Sequence, residues 1–243
     1  MRRSLDPDEH ETLRRNLDGV RGRISEALRA SHRAPDAVTL VVVTKAAPLE
    51  IVRGLEALGV TDIGESRIQQ ARLRHEQLGE SYHWHLIGHL QRNKVGPAVE
   101  IADLIHSVDS ERLLEALDRR ASSRNVRKDV LLEVNVSGEA SKPGFRPEDA
   151  ADALARAAGC SALRVTGLMA MAPRVEGEER ARPFFAALRE LRDELERVAS
   201  TPLPHLSMGM SQDYRVAVEE GATHVRVGSA IFRGVSAPVA GEG

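Results

Sequence analysis

A single cysteine, Cys160, leaves nothing from which to build an intramolecular disulfide framework and suits a reducing compartment. Aromatic residues are scarce as well, at 3% of the chain, so a core must come from Leu, Val, Ile and Ala. No charge sign dominates. Thirty-four basic against 36 acidic residues give a formal net charge of −2, which supplies no global field toward nucleic acid or an anionic membrane. Any phosphate must therefore be held by local groups. Long hydrophobic runs are missing too: no stretch approaches the roughly 18 apolar residues of a membrane span. The N-terminus, MRRSLDPDEHE, has two arginines with no apolar segment behind them, so the expected location is the cytoplasm. There is no Walker A sequence, no G-x-G-x-x-G after a strand and no G-x-S-x-G, which removes P-loop kinases, Rossmann enzymes and α/β-hydrolases from consideration.

What is present is a repeated alternation of strands and helices in a chain of 243 residues, close to the about 250 typical of a β/α barrel. Leu13, Leu17, Val20, Ile24 and Leu28 recur at helical spacing, which predicts a long opening helix capped near Asp6-Pro7. Val38 to Thr44 (VTLVVVT) is a continuous β-branched run of the kind buried on both faces of a parallel sheet. Pro48 to about Leu58 reads as helix. Further apolar segments at Asp62-Ile63, His85-Ile87, Leu104-Val108, Val130-Val136, Arg164-Leu168, Pro204-Leu206 and His224-Val227 bring the expected strands to eight. Helical faces lie between them, one carrying Leu113, Leu114 and Leu117 and another Phe184, Leu188, Leu191, Leu195 and Val198. The expected fold is α/β, a single closed (β/α)8 TIM-type barrel with an extra N-terminal helix. Residues 1–234 form the barrel domain and 235–243 a flexible tail, with surface loops at Ser141 to Glu148 and Ala172 to Glu179.

In such a barrel the chemistry belongs at the C-terminal ends of the strands. Lys45 directly follows VVVT, where partial desolvation favours the neutral amine that attacks an aldehyde; a solvated lysine ending a strand is the bland alternative. Ser207-Met-Gly-Met-Ser211 follows the seventh strand and Arg226-Val-Gly-Ser229 closes the eighth. Barrels bind phosphate in the loops after these two strands, with backbone N–H groups as donors, so Ser211, Gly228 and Ser229 form a candidate cradle. Singly, each is no more than an N-cap or a turn residue. Arg226 could reach a heteroaromatic nitrogen or pair with a carboxylate such as Glu65. His83, His85 and His89 invite a metal, but no nearby Cys or Asp completes a ligand shell. Cys160, in a helix-to-strand connection, reads as structural.

These residues sit in segments that resemble the pyridoxal phosphate homeostasis protein family, relatives of the N-terminal barrel of alanine racemase (PLP fold type III). The segments are VVVTK ending at Lys45, IGESRIQ around Glu65, WHLIGHLQRNK ending at Lys94, IHSVD ending at Asp109, SKPGF around Gly144, GLM ending at Met169, LSMGMSQDY with Ser211, and VRVGSAIFRG with Ser229. The resemblance implies that pyridoxal 5'-phosphate (PLP) forms a Schiff base with Lys45, and that Ser211, Gly228 and Ser229 hold its phosphate. It also implies that Arg226 faces the pyridine nitrogen and that Ser66 and Met208 are among the cofactor neighbours. Where the family has Asn-Tyr after Gly-Glu, this chain has Ser66-Arg67, a shorter side chain and an added positive charge. Arg226 stays cationic and disfavours a protonated pyridine nitrogen, which weakens the electron sink. The expectation is therefore a monomeric PLP carrier or buffer with PLP-dependent apoenzymes as partners, rather than an enzyme. The alternatives are a small PLP-dependent amino acid racemase, or a Schiff-base aldolase-type barrel without PLP.

Overall fold

The computed structural model describes residues 7–139 and 142–235. Eight parallel strands pair in chain order and the last closes on the first. They are β1 (Thr39–Val43), β2 (Asp62–Glu65), β3 (His83–Leu86), β4 (Leu104–Val108), β5 (Lys128–Glu133), β6 (Leu163–Met169), β7 (His205–Met210) and β8 (His224–Val227). The expected (β/α)8 barrel is thus the observed fold. The helices are α1 (Pro7–Ala30), α2 (Leu49–Ala57), α3 (Ile68–Leu78), α4 (Val95–Ile101), α5 (Glu111–Ser123), α6 (Ala150–Ala157), α7 (Arg182–Ala199) and α8 (Tyr214–Glu219). Their apolar faces pack on the outer face of the strands as one continuous core.

α1 precedes the barrel and lies against α8, burying Leu13, Leu17, Val20, Ile24 and Leu28, the stripe set by their spacing. Its expected cap at Asp6 lies outside the described residues. Asn16 of α1 donates from Nδ2 to the carbonyls of Ile231 (2.9 Å) and Arg233 (2.8 Å), tying the helix to the segment after β8. Asn16→Ala is expected to cost about 1 kcal/mol, since a net hydrogen bond contributes on that order. That lowers Tm by roughly 2–4 °C in a chain of this size, which calorimetry would read. Val235, assigned to the tail on sequence, is buried; residues 236–243 lie outside the described residues.

Two strand ends differ from the sequence reading. β5 stops at Glu133 rather than Val136, because Val134 bridges Phe145 and the amide of Asn135 donates to the Phe145 carbonyl. β7 continues past Leu206 to Met210. Its register on β8 moves from Ser207↔His224 to Met210↔Arg226, so one extra residue is taken up on β7. Gly209 makes this possible: its φ is +89°, and a Cβ there would stand 2.5 Å from Ala217 Cβ of α8.

Barrel interiors are usually layered with branched aliphatic side chains. Here Leu104, Leu131 and Met169 form a small apolar group of their own. Much of the rest is polar and buried: His85, His106, Ser207, His224 and Arg226.

Candidate functional site at the C-terminal mouth

Lys45 lies two residues beyond β1 and is exposed. Val41 pairs in register with inward-facing Arg226, and Lys45 shares the parity of Val41. The loop that carries Lys45 is clamped from outside the barrel. Glu65, the last residue of β2, accepts hydrogen bonds from Thr44 Oγ1 and from the Arg74 guanidinium of α3. Arg74 also donates to the carbonyls of Thr44 (2.9 Å) and Ala47 (2.5 Å), and Gln70 Nε2 donates to the Lys45 carbonyl (3.2 Å). Glu65 and Arg74 are both buried, so this pair is the partner choice of Glu65. The sequence-level alternative of a Glu65–Arg226 pair is thereby corrected. Glu65 follows Gly64 on the strand and faces the helix layer, while Arg226 faces the barrel axis.

Arg226 is buried beneath the mouth, where Nη1 donates to Ser207 Oγ (2.5 Å) and Nη2 to the Ala170 carbonyl (3.0 Å). Burial pushes its basicity down, to about 10, against the pull of the Glu133 and Asp213 carboxylates. It therefore remains a cation at neutral pH. Glu133, at the end of β5, is buried, and that burial together with the Asp109 charge pushes its carboxyl up to about 7, while Arg226 and His89 act in the opposite direction. Neither Glu133 nor Ser207 is marked as a site residue by the sequence alone. Glu133 falls in the apolar segment Val130-Val136 and Ser207 opens the segment that ends at Ser211, but the inward direction of each depends on strand register.

On the far side of the mouth the turns after β7 and β8 meet. The backbone N–H groups of Gly228 and Ala230 both donate to Ser211 Oγ, at 3.2 and 3.3 Å. The β7–α8 turn bearing Ser211 is closed by the Met210 amide donating to Asp213 Oδ1 (2.6 Å). Gly228 packs so tightly on β1 that a Cβ there would lie 2.8 Å from the Val43 carbonyl oxygen. Ser211 and Gly228 are half-buried and Ser229 is exposed. The structure thus brings Lys45, Ser211, Arg226, Gly228 and Ser229 to one end of the barrel. Ser66 is half-buried immediately after β2, at the same end, with exposed Arg67 at the N-cap of α3. Met208 is the departure. It alternates with inward-facing Ser207, so its fully buried side chain enters the core shared with the helices.

Among the described residues no group of three or more His, Cys, Asp or Glu side chains could hold a metal ion. His83 is exposed at the start of β3, His85 is buried inside the barrel, and His89 Nδ1 pairs with Asp109 Oδ2 at 2.8 Å. Cys160 lines a cleft of about 590 Å³ bounded by α6, α7 and the start of β6, away from the C-terminal mouth. Burial raises its thiol pKa.

Comparison with known proteins agrees with this geometry. The family model described as alanine racemase, N-terminal domain, matches residues 16–235. A pyridoxal phosphate homeostasis protein of Aquifex aeolicus is 41% identical over 217 residues, 89% of this chain and 95% of the relative. One of Pseudomonas aeruginosa is 41% identical over 224 residues, 91% of this chain and 95% of the relative. Among solved structures, PipY of Synechococcus elongatus with PLP bound superposes with a TM-score of 0.76 at 35% identity, covering 86% of this chain and 99% of that one. No described helix is long and apolar enough to cross a membrane. A single closed barrel, matched over almost its full length in both sequence and structure, belongs to the alanine racemase N-terminal domain family and, within it, to the pyridoxal phosphate homeostasis proteins.

Proposed function

We propose that this chain binds PLP at the C-terminal mouth of the barrel, linked through Lys45, and serves as a PLP carrier or buffer in the cytoplasm. The observation that carries the reading is the convergence of the Gly228 and Ala230 amides on Ser211 Oγ, beside the β1 end that leads to Lys45. The residues fit the cofactor group by group. A phosphate dianion needs several N–H and O–H donors at close approach, which Ser211, Ser229 and the backbone of Gly228 supply. An aldehyde needs an unhindered amine, which exposed Lys45 supplies. A pyridine nitrogen needs a polar neighbour, and Arg226 lies beneath the mouth with a charge that favours the unprotonated ring. PLP, once bound, supplies an electron sink whose strength depends on that ring nitrogen. Ser66 is assigned to the rim of the same site. Met208 contributes no side chain to it.

The names of the relatives support homeostasis over a committed reaction. Exchange with PLP-dependent apoenzymes, and action as a monomer, belong to the same proposal. The decisive experiment is a visible spectrum with and without borohydride, followed by peptide mapping. The expected result is visible absorbance that borohydride abolishes, with the pyridoxyl group on Lys45. Label predominantly on Lys94 or Lys142 would sink the assignment. A protein that stays colourless with PLP would instead favour a cofactor-free Schiff-base barrel.

A further inference from the structure

The cation beneath the mouth does not stand alone in the barrel. Arg226 Nη1 donates to Ser207 Oγ at 2.5 Å, and Ser207 Oγ lies 2.7 Å from His106 Nδ1. His106 Nε2 lies 2.9 Å from His85 Nδ1, and His85 Nε2 lies 2.9 Å from Asp62 Oδ1. These five side chains come from β8, β7, β4, β3 and β2. We infer that they form one directional hydrogen-bond column through the barrel core, which positions the Arg226 guanidinium and ties it to Asp62 at the N-terminal rim. The value of that positioning to a cofactor rests on the PLP reading; the column itself does not.

The direction follows from donor and acceptor rules. A guanidinium only donates, so Ser207 Oγ accepts from Arg226 and keeps its own hydrogen for His106 Nδ1. His106 Nδ1 is then an acceptor, and a neutral His106 carries its proton on Nε2. That N–H points at His85 Nδ1, so His85 in turn carries its proton on Nε2 and donates it to Asp62. The carboxylate only accepts, and the chain ends there. Started from Asp62, the same reasoning returns the same two tautomers. The column is polarised from cation to anion, and each hydrogen bond favours the next.

The surroundings keep His106 neutral. His106 is fully buried, and its basicity is pushed well down by burial, then by His85, His224 and Arg226. The His224 ring packs against those of His85 and His106, with centroids 5.8 Å away in each case, and burial brings its own pKa down to about 3. His205 stacks edge-on against His224 at 4.9 Å, and burial lowers its pKa too. At the rim, burial raises the Asp62 pKa, but hydrogen bonds from His85 and Thr61 outweigh it and hold the carboxyl below its ordinary range. Asp62 is therefore ionised at neutral pH. With the Ala170 carbonyl accepting from Nη2, two sides of the guanidinium are fixed. Arg226 can then hold one orientation without a direct carboxylate partner.

The first test uses the cofactor-free protein. Nitrogen-15 NMR of the imidazoles is expected to show Nε2–H tautomers for both His85 and His106, with His106 unchanged across the roughly pH 5–8 window in which an ordinary histidine titrates. An Nδ1–H tautomer at either position, or an imidazolium at His106, would overturn the column. The second test uses PLP-loaded protein. Ser207→Ala removes the link to Arg226, and is expected to shift the visible band and weaken PLP about tenfold, the loss of roughly one hydrogen bond to a charged group. Asp62→Leu, at the remote end, is expected to move the band in the same direction. Asp62→Asn, whose Oδ1 still accepts from His85, should restore the band toward that of the unaltered protein. A band that neither Ser207→Ala nor Asp62→Leu moves would show that the column does not position Arg226. If the protein takes up no PLP, the functional reading falls, and the tautomers decide the column by themselves.

Discussion

Replacing Ser211 and Ser229 together by Ala is expected to weaken PLP binding by roughly 10²–10⁴-fold, because each hydroxyl donates to a charged phosphate in a bond contributing about 1.5–3 kcal/mol. Both side chains lie at the mouth, Ser229 exposed and Ser211 half-buried, so their removal opens no core cavity and the fold should persist. Equilibrium titration followed in the visible band would measure the loss. Pyridoxal without its phosphate supplies the control. It should bind weakly to the unaltered protein and lose nothing further in the double variant. Equal PLP affinity in the two proteins would move the phosphate site away from the β7 and β8 turns.

The turns were legible before the structure because phosphate cradles rely on backbone geometry, and small residues after the last two strands of a barrel signal it. The barrel was legible for a related reason. The run of three valines in TLVVV is apolar on both faces, as only a doubly covered parallel strand requires. Side-chain direction was not legible wherever it depended on register. Glu65 and Arg226 both read as strand-end charges, yet Glu65 faces α3 and Arg226 faces the axis. Met208 stands next to Ser207 and points the opposite way. The extra residue in β7 hid this further, since Ser-Met-Gly-Met has no β-branched residue and reads as a loop. The polar column was invisible for the same reason: its members lie on five strands and meet only when the barrel closes. The Asn-Tyr to Ser66-Arg67 change left Ser66 at the mouth, with Arg67 exposed beside it.

Arg226→Glu is expected to lower Tm by roughly 6–20 °C, because replacing one member of a buried charged network typically costs about 3–5 kcal/mol. Arg226 is only 4% exposed. A carboxylate in its place would meet the Ala170 carbonyl, which only accepts, and would sit among the Glu133 and Asp213 carboxylates whose attraction now acts on the arginine. Such a group escapes its cost by taking up a proton, so it is expected to be a neutral acid near pH 7 and a poor anionic partner for a ring nitrogen. The structural loss and the chemical role separate in two measurements. Calorimetry reads the first. For the second, the unaltered protein with PLP and alanine in deuterated water is expected to show negligible Cα proton exchange, since the cation at Arg226 disfavours the protonated ring on which carbanion chemistry depends. Exchange or racemisation at an enzyme-like rate would replace the carrier reading with that of an amino acid racemase. A Tm unchanged by Arg226→Glu would mean that the arginine is not held by Ser207 and Ala170 as the structure has it.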